Sequence, residues 1–99
     1  MNYPKRYLDA NDVERGYYVY AHVDKATGKV FYVGKGCDGR AWSDERSYQW
    51  HEYIERLPEG YEVKLLHTDL TEDESLEIEA DEIENNGGCE VKGLSLIHI

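Results

Sequence analysis

The chain has 99 residues, 40% of them hydrophobic and 32% charged, with a net charge of −10. That length holds one compact domain with one modest core, and its periodic apolar segments exclude a wholly disordered chain. No apolar run approaches the ~20 residues a membrane-spanning helix needs, so no membrane partner is expected. Met1-Asn2-Tyr3-Pro4-Lys5 leads into no hydrophobic stretch of the kind a secretory signal carries. Cys37 and Cys89 form no close pair and no metal-ligand spacing, so reduced thiols and a cytoplasmic location are expected.

The acidity is uneven. Residues 1–56 carry nine Lys/Arg against nine Asp/Glu, and residues 57–99 carry two against twelve. Phosphate binders are usually basic. A nucleic-acid partner would therefore meet the neutral half, with Lys25, Lys29, Lys35, Arg40 and Arg46, and be repelled by the acidic one.

Residues 1–15 read as a lead. From Tyr17 to Val23 the chain alternates, with Tyr17, Val19, Ala21 and Val23 on one side and Tyr18, Tyr20 and His22 on the other. That period of two predicts a half-buried strand. Asp24 to Lys29 is turn chemistry with Gly28 suited to positive φ, and Val30 to Val33 returns as the second strand of a hairpin. A glycine-rich loop, Gly34-Lys35-Gly36-Cys37-Asp38-Gly39, ends at Arg40. Between Ser43 and Leu57, the spacing of Trp50, Tyr53, Ile54 and Leu57 predicts one apolar helix face, stopped by Pro58-Glu59-Gly60. Tyr61, Val63 and Leu65 alternate as a third strand.

Thr71 and Glu74 then form a capping box. The helix that follows has Leu76, Ala80 and Ile83 as its apolar stripe, Glu79 on the flank of that stripe, and a stop at Asn85-Asn86-Gly87-Gly88. The order predicts an α+β fold, a small three-stranded antiparallel sheet flanked by helices. The final Leu94-Ser95-Leu96-Ile97-His98-Ile99 matches one reading frame of a transposon end used as a sequencing adaptor, the alternative being a short apolar final strand. Residues 94–99 are therefore expected to be non-native read-through, with the native domain spanning 16–93.

Each candidate residue has an ordinary explanation beside the chemical one. Tyr18, Tyr20 and Tyr32 suit cross-strand aromatic packing, worth roughly 0.2–1 kcal/mol per pair. Arg40 suits a surface ion pair with Asp38 or Asp44; behind a glycine loop its planar fork also suits a phosphate. Glu79 either reaches water or serves as a ligand, because a carboxylate at the edge of a buried face is costly unless paired or metal-bound. Arg46, Trp50 and His51 form a patch suited to a DNA groove, with Trp50 also suited to the core. His22, His51 and His67 share no metal-ligand spacing and read as surface or satisfied histidines. The loop formally contains G-x-G-x-x-G, but the strand before it belongs to a hairpin and not to a βαβ unit, which excludes a dinucleotide site.

Taken together, Tyr18-Val19-Tyr20, eleven residues, Tyr32-Val33-Gly34, Lys35, Arg40 and Glu79 resemble the GIY-YIG nuclease domain, in the Tyr-Val-Gly-Lys-Gly form of small phage and bacterial proteins. The resemblance covers residues 16–93. It implies a metal-dependent endonuclease that hydrolyses DNA phosphodiesters. Tyr20 would help deprotonate the attacking water, Tyr32 would hold the phosphate or nucleophile, Arg40 would stabilise charge on the phosphorane and Lys35 would assist. Glu79 would bind one divalent metal, Mg²⁺, and Tyr18, Gly34, Gly36, Arg46 and His51 would contact substrate. A phenol of pKa ~10 is about 0.1% ionised at pH 7, so Tyr20 needs a nearby cation to act as a base, with Lys35 or a metal-bound water as candidates. Tyr18 stands where the family often has glycine. The alternatives are a catalytically weak nucleic-acid-binding module of the same family, or an acidic protein-interaction domain that mimics DNA.

Overall fold

The computed structural model describes residues 4–85. Within them the chain forms an α+β fold built on a three-stranded antiparallel sheet. The lead folds back as a short ladder, β1 (Tyr7–Leu8) against β2 (Glu14–Arg15). The sheet comprises β3 (Tyr17–Asp24), β4 (Val30–Gly36) and β5 (Tyr61–Leu70), in the order β4-β3-β5. A 3-10 turn at Arg40–Trp42 and α1 (Tyr48–Glu55) follow β4, and α2 (Glu72–Asn85) follows β5. The remaining helix-stop residues, Cys89, the boundary at residue 93 and the tail 94–99 lie outside the described residues. No helix among the described residues is long and apolar enough to cross a membrane.

The alternation in β3 divides the core in two. Tyr18, Tyr20 and His22 face α1, where Trp50, Tyr53, Ile54 and Leu57 form the apolar face expected of that helix. Val19, Ala21 and Val23 face the other way, against Val33 and α2. Register shifts in the β3–β5 pairing flank Val19; such irregularities bend and twist a strand locally.

Caps fix both helices. Ser47 accepts a hydrogen bond from the Trp50 N–H at 3.3 Å. The capping box of α2 is formed in both directions, Thr71 N to Glu74 Oε1 at 2.9 Å and Glu74 N to Thr71 Oγ1 at 3.2 Å. Its first turn carries Glu72, Asp73 and Glu74, which suit the positive end of the helix dipole.

The buried face of α2 differs from the expected stripe. Leu76 is 55% exposed, whereas Ser75 and Glu79 are buried and Ile78 and Ile83 pack on the valines of the sheet. The helix is rotated because close approach to the sheet suits the small Ser75, whose hydroxyl donates to the Glu72 carbonyl at 2.6 Å. Leu76 is left at the helix margin.

The lead is also more ordered than its sequence pattern indicates. Asp9 accepts from Asn11 N and Val13 N at 2.8 and 3.1 Å and pairs with Arg15 Nε at 2.8 Å. The Arg15 guanidinium and these amides hold the Asp9 carboxyl below its ordinary pKa. Arg6 reaches the Asp38 carboxylate at 3.1 Å, and Tyr7 donates to Asp69. The lead is thereby tied to the glycine loop and to the end of β5.

Candidate active site

A cleft of about 310 Å³ is lined by Tyr20, Tyr32, Gly34, Lys35, Arg40, Leu76 and Glu79. The phenols and α2 belong to opposite faces of the sheet. They meet because β4 is an edge strand and is unusually thin at Gly34, the cross-strand partner of Tyr20. A Cβ on Gly34 would stand 2.7 Å from Tyr20 Oη, so the missing side chain is the space the phenol occupies. Gly36 does the same for the arginine, since a Cβ there would lie 2.6 Å from Arg40 Cγ. These two glycines shape the cleft by leaving room for other side chains.

Tyr18 is not at the cleft. It is fully buried, donating to the Asp38 carbonyl at 2.6 Å and accepting from Ala41 N at 2.9 Å. It therefore anchors both flanks of the turn that carries Arg40. Asp38 itself sits at φ 51 and pairs with Arg6. Among the described residues the Arg40 guanidinium makes no ion pair, with Asp38 or with Asp44.

His22 is a core residue and not a surface one. Its ring is fully buried, with Trp50 Nε1 at 3.0 Å from Nδ1 and the Ala41 carbonyl at 2.8 Å from Nε2. An indole N–H only donates, so Nδ1 accepts, and the ring proton sits on Nε2 facing Ala41. This one imidazole joins β3, the Arg40 turn and α1. His22→Phe leaves the Trp50 N–H and the Ala41 carbonyl without that buried partner, at about 1–3 kcal/mol each. A loss of about 3 kcal/mol in urea unfolding is expected, and a change below about 1 kcal/mol would contradict this role.

The cation against Tyr20 is Arg46, where the sequence suggested Lys35. Arg46 Nη1 donates to Tyr20 Oη at 2.6 Å and to Tyr32 Oη at 3.1 Å. Its Nη2 donates to the Arg40 carbonyl at 2.6 Å and its Nε to the Ser43 carbonyl at 3.0 Å. Burial raises the Tyr20 pKa far above the ordinary phenol value, with the Arg46 charge pulling in the opposite direction. His51 is exposed, stacked edge-on to Trp50, and is not among the residues lining the cleft. No local periodicity marks Arg46 as a phenol partner, because its fork crosses from the segment before α1 to β3 and β4.

Glu79 is 6% exposed and is the one carboxylate lining the cleft among the described residues. No group of three or more His, Cys, Asp or Glu suited to a metal occurs among the described residues. A single carboxylate fits Mg²⁺, which keeps several waters and is commonly held by one or two carboxylates together with substrate phosphate oxygens. It does not fit zinc, which takes three or four protein ligands. Comparison with protein-family models, curated proteins and solved structures finds no match to this chain.

Proposed function

We propose that the chain is a metal-dependent phosphodiester hydrolase acting on DNA, of the GIY-YIG type its motifs resemble. The observation that carries this reading is the convergence of Tyr20, Tyr32, Lys35, Arg40 and Glu79 on one cleft. Cross-strand packing accounts for buried tyrosines. It does not account for an arginine and a lysine sharing their cleft with a buried carboxylate.

In this reading Arg40 grips non-bridging phosphate oxygens with its planar fork, and Lys35 adds a second positive charge. Tyr32 holds the phosphate in place. Glu79 would hold the Mg²⁺ ion, which when bound supplies Lewis-acid stabilisation of charge on the leaving 3′-oxygen. Water adds to phosphorus, the bond to the 3′-oxygen breaks, and one water proton ends on that oxygen. The products are a 5′-phosphate and a 3′-hydroxyl. Fixed charges aimed at the transition state supply the rate enhancement in such sites.

Supercoiled plasmid incubated with the protein and Mg²⁺ is expected to accumulate nicked circles, and EDTA is expected to stop it. DNA binding without Mg²⁺-dependent nicking would reduce the chain to a binding module. The exposed Glu72, Asp73, Glu77 and Asp81 of α2 favour one other reading, an acidic surface that imitates DNA. Binding to a basic DNA-handling protein in place of DNA would support it.

A further inference from the structure

Arg46 stands apart from the residues that line the cleft, yet it touches both of the phenols that do. Its guanidinium carbon lies 5.3 Å from the centroid of the Tyr20 ring and 5.2 Å from that of Tyr32. All its guanidinium hydrogen bonds run to neutral oxygens, two phenolic and two carbonyl. A phenolic oxygen that accepts from a guanidinium keeps its own proton for another acceptor. The Tyr20 oxygen lies beside Gly34, inside the cleft.

We propose that Arg46 is a positioning residue that holds the oxygens of Tyr20 and Tyr32 from behind, turning the Tyr20 O–H group toward an oxyanion in the cleft, a phosphate ester by chemical class. Tyr20 is then a hydrogen-bond donor to that oxyanion and not the base that the family resemblance implies. The cation strengthens the donor by polarising the phenol, and burial keeps the proton in place. The same fork fixes the carbonyl of Arg40, so one side chain sets the relation between both phenols and the arginine. This inference rests on the proposed function only in requiring an oxyanion at the cleft.

The test is a titration with inorganic phosphate, free of divalent metal, followed by NMR of protein labelled at the tyrosine ζ-carbons. Phosphate is expected to shift Tyr20 and Tyr32 in the wild type, with an affinity nearly constant between about pH 8 and pH 9.5, below the ordinary phenol pKa. Tyr20→Phe is expected to weaken phosphate binding roughly tenfold, as loss of a hydrogen bond to a charged group implies. Arg46→Met is expected to match that loss, and Arg46→Lys to restore only part, because an ammonium is a point charge without a fork. A Tyr20 ζ-carbon signal of the phenolate form below about pH 9 would overturn the donor role. Unaltered phosphate affinity in Arg46→Met would overturn the positioning role, and if that variant does not fold, wild-type affinity in Arg46→Lys decides the same point. Phosphate binding with these properties, but without Mg²⁺-dependent nicking, would remove the hydrolase reading and leave this one standing.

Discussion

Glu79→Gln is expected to lower Mg²⁺-dependent DNA nicking about a thousandfold while the protein stays folded. The substitution keeps the volume of the side chain and one of its oxygens, but removes the charge that would hold the cation. Lewis-acid stabilisation of a leaving oxygen is worth several kcal/mol, and about 4 kcal/mol corresponds to a thousandfold in rate. Glu79 is buried on α2 and lines the cleft. An isosteric amide there should leave the melting temperature within about 5 °C of the wild type. Glu77 and Asp81 point to solvent from the same helix. Their amide variants are expected to nick like the wild type, which separates the charge of one residue from the acidity of α2. Nicking by Glu79→Gln within about fivefold of the wild type would exclude it as the metal ligand.

Gly34→Ala is expected to be nearly as damaging by a different route. The added methyl would stand 2.7 Å from the Tyr20 oxygen and 2.8 Å from its Cζ. The phenol cannot swing aside freely, because its ring is 1% exposed and its oxygen is held by Arg46. Overpacking of this kind typically costs about 1–3 kcal/mol. A ring displaced by a fraction of an ångström also loses its place in the cleft, and misplacement of about 1 Å can cost a hundredfold in rate. The expected result is a lower melting temperature together with at least a hundredfold loss of nicking. Gly28→Ala provides the contrast. A Cβ at Gly28 meets no neighbouring atom, and its cost comes from backbone strain at φ 77, away from the cleft. Unchanged activity in Gly34→Ala would mean that the Tyr20 hydroxyl has no part in the chemistry.

The hairpin was legible because the Tyr18-Tyr20-His22 and Val19-Ala21-Val23 alternation marks a strand, but that pattern implied a half-buried one and β3 is buried on both faces, its second face covered by α2. The capping box was equally plain, since Thr71 and Glu74 satisfy backbone groups that only a helix start exposes. What pattern could not give is rotation and reach. Leu76 is the more apolar residue, but Ser75 is the smaller, and close approach to the sheet selected the smaller one. Arg46 was readable as a basic residue near the loop, but its partners are distant in sequence and follow no period. The lead carried an unread signal in Asp9-Ala10-Asn11-Asp12, where a carboxylate accepting from the amide two residues on closes a turn. The joining of two sheet faces at one cleft depends on strand order and on an edge strand thinned by glycine, which no spacing along the chain encodes.

The central claim is that phenols from one face of the sheet and a carboxylate from the other serve a single cation and phosphate site. Mn²⁺ takes the same hard oxygen ligands as Mg²⁺, and its unpaired electrons broaden NMR signals of nuclei close to it. Titration of labelled protein with substoichiometric Mn²⁺ is predicted to broaden the ring signals of Tyr20 and Tyr32 together with the amides of Lys35 and Glu79, and to lose that pattern in Glu79→Gln. Broadening confined to Glu72, Asp73 and Glu74 at the start of α2, with the tyrosines untouched, would contradict it.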